Sequence, residues 1–123
     1  MLFQRHPDDD PKERCPAEEF LNECPDTVAA DFFSIIDDVA AAPPPRFSGG
    51  GMWEAMHGYM AGFYKARAMG PQKRLYRLYS ILEHQAPGLP GPSIVLIAGQ
   101  SKPNGTEFTK ADYKRIRDLG DEY

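Results

Sequence analysis

Cysteine is scarce in this sequence. The chain of 123 residues holds two, Cys15 and Cys24, with eight residues between them. This spacing matches no common zinc-binding pattern, and two thiols do not make the disulfide framework of a small secreted domain. No group of histidines, cysteines and acidic residues has the spacing of metal ligands either, so we expect no metal and no cofactor.

Long hydrophobic segments are also missing. The longest strongly apolar run, SIVLIAG at residues 93–99, is far shorter than the roughly 20 residues of a membrane-spanning helix. The first residues, MLFQRHPDDDPKER, contain no apolar segment of the kind found in secretion signals. We therefore expect a single domain over residues 1–123 that is cytoplasmic and has no membrane partner.

The net charge of −4 is unevenly distributed along the chain. Residues 1–45 contain three basic and eleven acidic side chains, whereas residues 46–117 contain eleven basic and four acidic ones. The densest basic stretch is FYKARAMGPQKRLYRLYS, residues 63–80, in which five cations are interspersed with tyrosines. Such an asymmetry indicates either a surface that binds a polyanion or two regions that neutralise each other in the fold.

Hydrophobic spacing predicts two helices near the start of the chain and one at its end. Residues 15–24 suit a short helix with a proline at its first position and two glutamates in its first turn. In residues 26–42 apolar side chains recur every three or four positions, which predicts an amphipathic helix that ends before three prolines. Residues 109–123 predict a third helix, with Thr109 as its N-cap and Asp112 completing a capping box.

Between these helices the pattern changes to short β-like runs. Residues 1–5 predict an edge strand, and residues 62–69 and 73–84 predict an antiparallel hairpin. The apolar run at 93–99 lacks alternation, which is typical of a strand buried on both faces. Residues 52–60 show no clear pattern. The sequence thus predicts an α+β domain, with a helical hairpin packed on an antiparallel sheet of three to five strands, a C-terminal helix, and the helices on one face.

The predicted hairpin distributes its cations over two faces. Side chains alternate along a strand, so Arg74 and Tyr76 share one face while Arg77 lies on the other. Lys65 and Arg67 also share a face, and if that face is the one bearing Arg77, the three cations form a phosphate site. The nearby tyrosines would stack on unpaired RNA bases. The alternative is that these arginines pair with the acidic helices.

Four short stretches, CPAEEFLNECPD, GFYKAR, YRLYS and IVLIAGQSKP, follow one another along the chain. The first is similar to a P-x-x-E-F-L helix followed by a proline, and the second to a strand with glycine, an aromatic and basic residues. The third is similar to a tyrosine–arginine strand motif, and the fourth to an apolar strand leading into a lysine-containing loop. In this order, over nearly the whole chain, they resemble the RelE/ParE superfamily of bacterial toxins and, within it, the HigB-type, phage-derived branch.

The resemblance implies a RelE-like fold and a cytoplasmic toxin that a cognate antitoxin protein neutralises. The RNase branch of the family consists of endoribonucleases that cleave mRNA, commonly on the ribosome. By position, the resemblance assigns Lys65 and Arg67 to the surroundings of the scissile phosphate and Arg77 to stabilisation of the phosphorane. It makes Lys102 the further basic residue that the family usually has in the loop after the apolar strand, and so a catalytic candidate as well. Lys73, Arg74 and Tyr76 are the accompanying candidates for RNA binding.

The proton transfers need further residues. Many RNase members of the family use a C-terminal histidine or tyrosine, and because no histidine follows His84, Tyr113 or Tyr123 would take that role here. Arginine stays protonated and cannot act as a base, whereas Lys65, crowded by like charges, would have a lowered pKa and accept a proton. Two alternatives stay open: a ParE-like toxin that inhibits a protein target such as DNA gyrase, and an inactive phage-encoded relative that only binds RNA or an antitoxin.

Overall fold

The computed structural model describes residues 2–3, 16–41, 53–83 and 93–122. These described residues form three α-helices, which are α1 (Pro16–Glu23), α2 (Asp26–Ala41) and α3 (Lys110–Glu122). They also form five strands, which are β1 (Leu2–Phe3), β2 (Trp53–Ala55), β3 (Tyr64–Met69), β4 (Leu75–Glu83) and β5 (Ser93–Lys102). Single 3-10 turns at Gly58–Met60 and Pro71–Lys73 precede β3 and β4. The predicted α+β class is confirmed.

The strands form one sheet in the order β1-β5-β4-β3-β2. The pairs from β2 to β5 are antiparallel, whereas the two-residue strand β1 lies parallel to β5 at the edge. The predicted hairpin is therefore present as β3 and β4, joined by a turn in which Gln72 and Lys73 both have a φ of 58°. Such a left-handed backbone conformation is uncommon for residues other than glycine, and here it reverses the direction of the chain tightly.

Helices α1 and α2 cover one face of the sheet. The apolar stripe predicted for α2 is buried as expected, with Val28, Phe32 and Val39 fully inaccessible. It packs together with Leu21 of α1 and with residues from four strands, among them Leu78. Gly99 of β5 lies directly under the ring of Phe20 in α1, where a β-carbon would have no room. This close approach brings α1 onto the sheet.

Helix α3 covers the other face. Its residue Ile116 is fully buried in a second cluster with Tyr79 of β4 and with Val95 and Ile97 of β5. In β5, Ile94 and Leu96 belong to the first cluster and their neighbours to the second, which confirms the prediction of a strand buried on both faces. The prediction that the helices lie on one face is wrong, because a strand that is apolar on both sides needs a packed layer on each.

The start of α3 is held by the predicted capping box. The Thr109 backbone N–H donates to Asp112 Oδ2 over 2.7 Å, and the Asp112 N–H donates to Thr109 Oγ1 over 3.3 Å. Both groups would otherwise be unpaired donors of the first helical turn. The cap fixes where α3 begins relative to β5, and so where its side chains meet the sheet.

Several sequence-based predictions lie outside the described residues. These are most of the edge strand 1–5, the thiol of Cys15, the connections around 42–52 and 84–92, His84 and Tyr123. Cys24 is described, and its thiol is buried; burial, followed by the charge of Glu23, raises its pKa to about 11. Over the described segments, no helix combines the length and the apolar character needed to cross a membrane.

Candidate functional site

The register of β3 and β4 brings three cations onto one face of the sheet. Arg67 lies directly opposite Arg77, and Lys65 lies opposite Tyr79. Since residues two apart on a strand share a face, Lys65, Arg67 and Arg77 all lie on the side that α3 covers. The sequence predicted a phosphate site on the condition that these three cations share a face, and this condition is met. We call Lys65, Arg67 and Arg77 the cation cluster.

A carboxylate from the short edge strand β2 contacts two members of the cluster. Glu54 Oε1 accepts a hydrogen bond of 3.2 Å from Arg67 Nη2, and its Oε2 lies 3.7 Å from Lys65 Nζ. Like charges opposite each other on neighbouring strands destabilise a sheet, and Glu54 offsets that repulsion. Sequence reasoning missed Glu54 because it lies in the segment 52–60, whose three-residue strand is too short to show a period.

The pKa of the lysine in the cluster is lowered by its surroundings. Burial is the main cause that lowers the pKa of Lys65, and the neighbouring charge of Arg77 lowers it further, while Glu54 acts in the opposite direction. The lowered pKa that the sequence predicts is thus confirmed in direction. The main cause of the lowered pKa is desolvation of Lys65, whose side chain is only 18% exposed, rather than like-charge crowding.

The guanidinium of Arg77 is fixed by two aromatic side chains. Its Nη1 donates a hydrogen bond of 2.8 Å to the Tyr113 hydroxyl, and its Cζ lies 4.1 Å from the centroid of the Phe108 ring. A planar guanidinium stacked on one ring and bonded to another side chain keeps one orientation. Because the Tyr113 oxygen accepts this bond, its own O–H remains directed elsewhere and can be donated.

Tyr79, two residues after Arg77 on β4, is a second tyrosine that connects the sheet to α3. Tyr79 is fully buried, and burial raises its pKa to about 12 although the nearby Arg77 acts against that rise. Its hydroxyl donates to Gln100 Oε1 over 3.3 Å, and Gln100 Nε2 donates to the carbonyl of Asp112 over 3.0 Å. Tyr79 therefore stays neutral and ties β4 and β5 to the helical turn that carries Tyr113.

Lys102 makes its contacts with the loop and helix that follow β5. Its ammonium lies 2.6 Å from Asp112 Oδ2 and donates to the carbonyl of Glu107 over 3.1 Å. It also lies 5.6 Å from the Phe108 ring centroid. Its hydrogen bond to Asp112, followed by that from the Thr109 N–H, lowers the pKa of the carboxyl. These contacts hold the loop that places Phe108 on Arg77.

The three candidates for RNA binding lie away from the cation cluster. Tyr76 packs with the layer of α1 and α2, with its ring 6.4 Å from that of Phe20. Arg74 Nε donates to Ser101 Oγ over 3.1 Å, and Ser101 lies opposite Tyr76 in the register. Lys73 is exposed in the β3–β4 turn. The structure therefore does not bring Lys73, Arg74 and Tyr76 together with Lys65, Arg67 and Arg77.

The donor set around the cluster is cationic and phenolic rather than metal-binding. Within the described segments, no group of three or more histidine, cysteine or acidic side chains is placed to hold a metal ion. None of the known protein families, characterised proteins or solved structures with which the chain was compared matches it.

Proposed function

We propose that this chain is a metal-independent endoribonuclease of the RelE/ParE toxin kind, acting on mRNA. The observation that carries the proposal is the cation cluster, in which Arg77 is held against Tyr113 by a 2.8 Å hydrogen bond. Three cations on one face suit a phosphate whose negative charge increases during the reaction. A cognate antitoxin, the ribosome as the place of cleavage and a cytoplasmic location belong to the same proposal.

The reaction we propose begins with attack by the 2′-oxygen of a nucleotide on its own 3′-phosphate. The new O2′–P bond forms as the P–O5′ bond breaks, which leaves a 2′,3′-cyclic phosphate and a 5′-hydroxyl. Arg77 and Arg67 stabilise the charge on the phosphorane oxygens. The Tyr113 hydroxyl donates its proton to the departing 5′-oxygen. Its oxygen accepts the hydrogen bond from Arg77, which leaves its O–H available for this role.

The 2′-hydroxyl must lose its proton to a nearby base. Lys65, whose pKa is lowered mainly by burial, is the acceptor that we propose. Glu54 is the other group in reach, since it lies 3.7 Å from the lysine ammonium. The two are separable by substitution, because Lys65→Arg keeps the charge but removes the base, whereas Glu54→Gln keeps the shape and removes the carboxylate.

A bound phosphate has to compete with Glu54 for the cations of β3. The side chains of Glu54 and Arg67 are 41% and 44% exposed, and ion pairs with this exposure contribute about 0–1 kcal/mol. A charge-assisted bidentate contact between an arginine and a phosphate is stronger than such a pair. The carboxylate therefore holds the cluster together without RNA and does not prevent RNA from binding.

Growth on induced expression tests the proposal, with new 5′ ends in total mRNA mapped at the same time. The wild type is compared with Arg77→Ala and with Arg115→Ala, which removes an equal charge from an exposed position of α3. We expect growth arrest and new cleavage sites with the wild type and Arg115→Ala, and neither with Arg77→Ala. Arrest without cleavage would indicate a protein target, as in gyrase inhibitors, and absence of arrest would indicate a relative that only binds; either result contradicts the proposal.

A further inference from the structure

An exposed tyrosine lies beside α3, apart from the residues of the cation cluster. Tyr59 is in the middle of the 3-10 turn between β2 and β3, and 42% of it is accessible. Its neighbour Met60 is buried in the second core cluster, which anchors the turn. The Tyr59 ring thus occupies a defined position on the surface, on the face of the sheet that α3 covers.

Two cations of α3 lie over this ring. Lys110 Nζ is 5.4 Å and Arg117 Cζ is 5.2 Å from the ring centroid, and Arg117 Nη1 also donates to the backbone carbonyl of Tyr59. Among the residues that the structure describes, neither Lys110 nor Arg117 forms a salt bridge, whereas Lys114 on the same side pairs with Asp118 over 2.6 Å. The ring and the carbonyl orient two charges that no described carboxylate neutralises.

The row of residues that carries these cations also carries Tyr113. Positions 110, 113 and 117 are three and four residues apart, so they lie along one side of the helix. Tyr113 is bonded to Arg77 of the cation cluster. The two cations therefore flank, on either side along α3, the residue that contacts the proposed scissile phosphate.

We propose that Tyr59, Lys110 and Arg117 form a second subsite, which binds the phosphate backbone of single-stranded RNA next to the scissile phosphate. The inference rests on the proposed function and adds to it a substrate that extends beyond the cleaved dinucleotide. The Cα atoms of Lys110 and Arg117 lie about 10 Å apart along the helix axis. Their charged groups approach the Tyr59 ring, at 5.4 and 5.2 Å from its centroid, and we expect them to contact neighbouring phosphates of one strand. The ring and the backbone carbonyl of Tyr59 hold the two cations in place.

Binding of RNA as a function of salt tests the subsite. The probe is a 2′-O-methyl oligonucleotide of about 12 nucleotides, which cannot be cleaved by its own 2′-oxygen and has a length typical of single-strand sites. For Lys110→Ala/Arg117→Ala we expect the slope of log K against log salt to be less negative by about 1.4, since each single-strand phosphate contact contributes about 0.7. Between about 50 and 200 mM salt, that change makes the loss of affinity about sevenfold smaller than in the wild type.

The controls separate this inference from the proposed function. Arg115→Ala removes one charge from the other side of α3 and is expected to keep the wild-type slope, as is the charge-preserving variant Lys110→Arg/Arg117→Lys. A 2′-O-methyl dinucleotide, whose single phosphate is the one that the cation cluster would hold, is expected to bind the wild type and the double alanine variant equally. Arg77→Ala is expected to weaken both oligonucleotides.

Two results would overturn the inference, and they are distinguishable. If the double alanine variant keeps the wild-type slope while Arg77→Ala still weakens binding, the subsite is wrong and the proposed function stands. If Arg77→Ala binds both oligonucleotides as the wild type does, or the wild type binds neither, the proposed function fails and the subsite with it.

Discussion

Replacing Tyr113 with phenylalanine removes one oxygen at the point where α3 meets the cation cluster. That oxygen accepts the 2.8 Å hydrogen bond from Arg77, and in the proposed reaction it protonates the leaving group. Loss of a hydrogen bond to a charged group costs about 1.5–3 kcal/mol, which corresponds to a rate loss of about 10- to 100-fold if Tyr113 only orients Arg77. Loss of a general acid costs about 100- to 10,000-fold.

Single-turnover cleavage of two substrates distinguishes these roles. One is an ordinary RNA, and the other carries sulfur in place of the bridging 5′-oxygen at the cleaved bond. A thiol ionises near pH 8.5, so the sulfur leaves without a proton donor. We expect Tyr113→Phe to cleave the ordinary RNA more than about 100-fold more slowly than the wild type. The sulfur substrate should be slowed less, by no more than the about 10- to 100-fold that the lost hydrogen bond to Arg77 accounts for.

The control for this experiment is Tyr76→Phe, which removes a hydroxyl on the opposite face of the sheet and is expected to leave both rates unchanged. If Tyr113→Phe slows both substrates equally, Tyr113 orients Arg77 and does not donate the proton. If it slows neither, the hydrogen bond between Tyr113 and Arg77 has no part in the reaction, and the reasoning from the geometry of the site is refuted.

Three further predictions concern stability and pH. Gly99→Ala places a methyl group against the ring of Phe20 and is expected to lower the free energy of unfolding by about 1–3 kcal/mol in urea denaturation. Asp112→Asn loses the contact with Lys102 and weakens the helix cap, at a cost of about 1 kcal/mol at neutral pH. Because the folded-state pKa of Asp112 is below the ordinary 3.8, this difference should disappear as the pH falls below 3.8 and through the folded-state pKa. If Lys65 is the base, the cleavage rate should rise with pH up to its lowered pKa, and Lys65→Arg should abolish the rise.

Each of these predictions has a matched comparison. In a double-mutant cycle, Phe20→Ala should remove most of the extra cost of Gly99→Ala; additive effects would show that the ring is not the obstacle. Asp118→Asn breaks an exposed ion pair on the same helix and should change stability by less than Asp112→Asn does. If Lys65 is the base, Glu54→Gln should keep the rise of the rate with pH but shift it to lower pH, because the carboxylate no longer raises the pKa of Lys65, whereas loss of the rise in Glu54→Gln would contradict it.

Much of the fold follows from local patterns in the sequence. The stripe of α2, the hairpin of β3 and β4, the doubly buried β5 and the capping box of α3 each depend on residues that are close together in the chain. The shared face of the cation cluster follows from strand alternation once the register of the hairpin is known. These features are predictable because periods of two and about four residues determine them.

The remaining features depend on contacts between distant segments. Strand β2 is three residues long and is defined by its pairing with β3, so Glu54 could not be assigned to the site. The contact of Phe108 with Arg77 depends on how the loop before α3 folds back, which Lys102 controls through Asp112 and the carbonyl of Glu107. The family resemblance placed Lys102 among the catalytic candidates, whereas the contacts it makes here are with Asp112 and Glu107.

The most direct test of the central claim is cleavage of RNA by the purified protein, on free RNA in EDTA and on ribosomes loaded with the same mRNA. The account predicts products with 2′,3′-cyclic phosphate and 5′-hydroxyl ends, a loss of about 100- to 1,000-fold for Arg77→Ala, and near wild-type cleavage for Arg74→Ala, whose guanidinium bonds to Ser101 instead. Equal rates for the two variants, or products with 5′-phosphate ends, would contradict it.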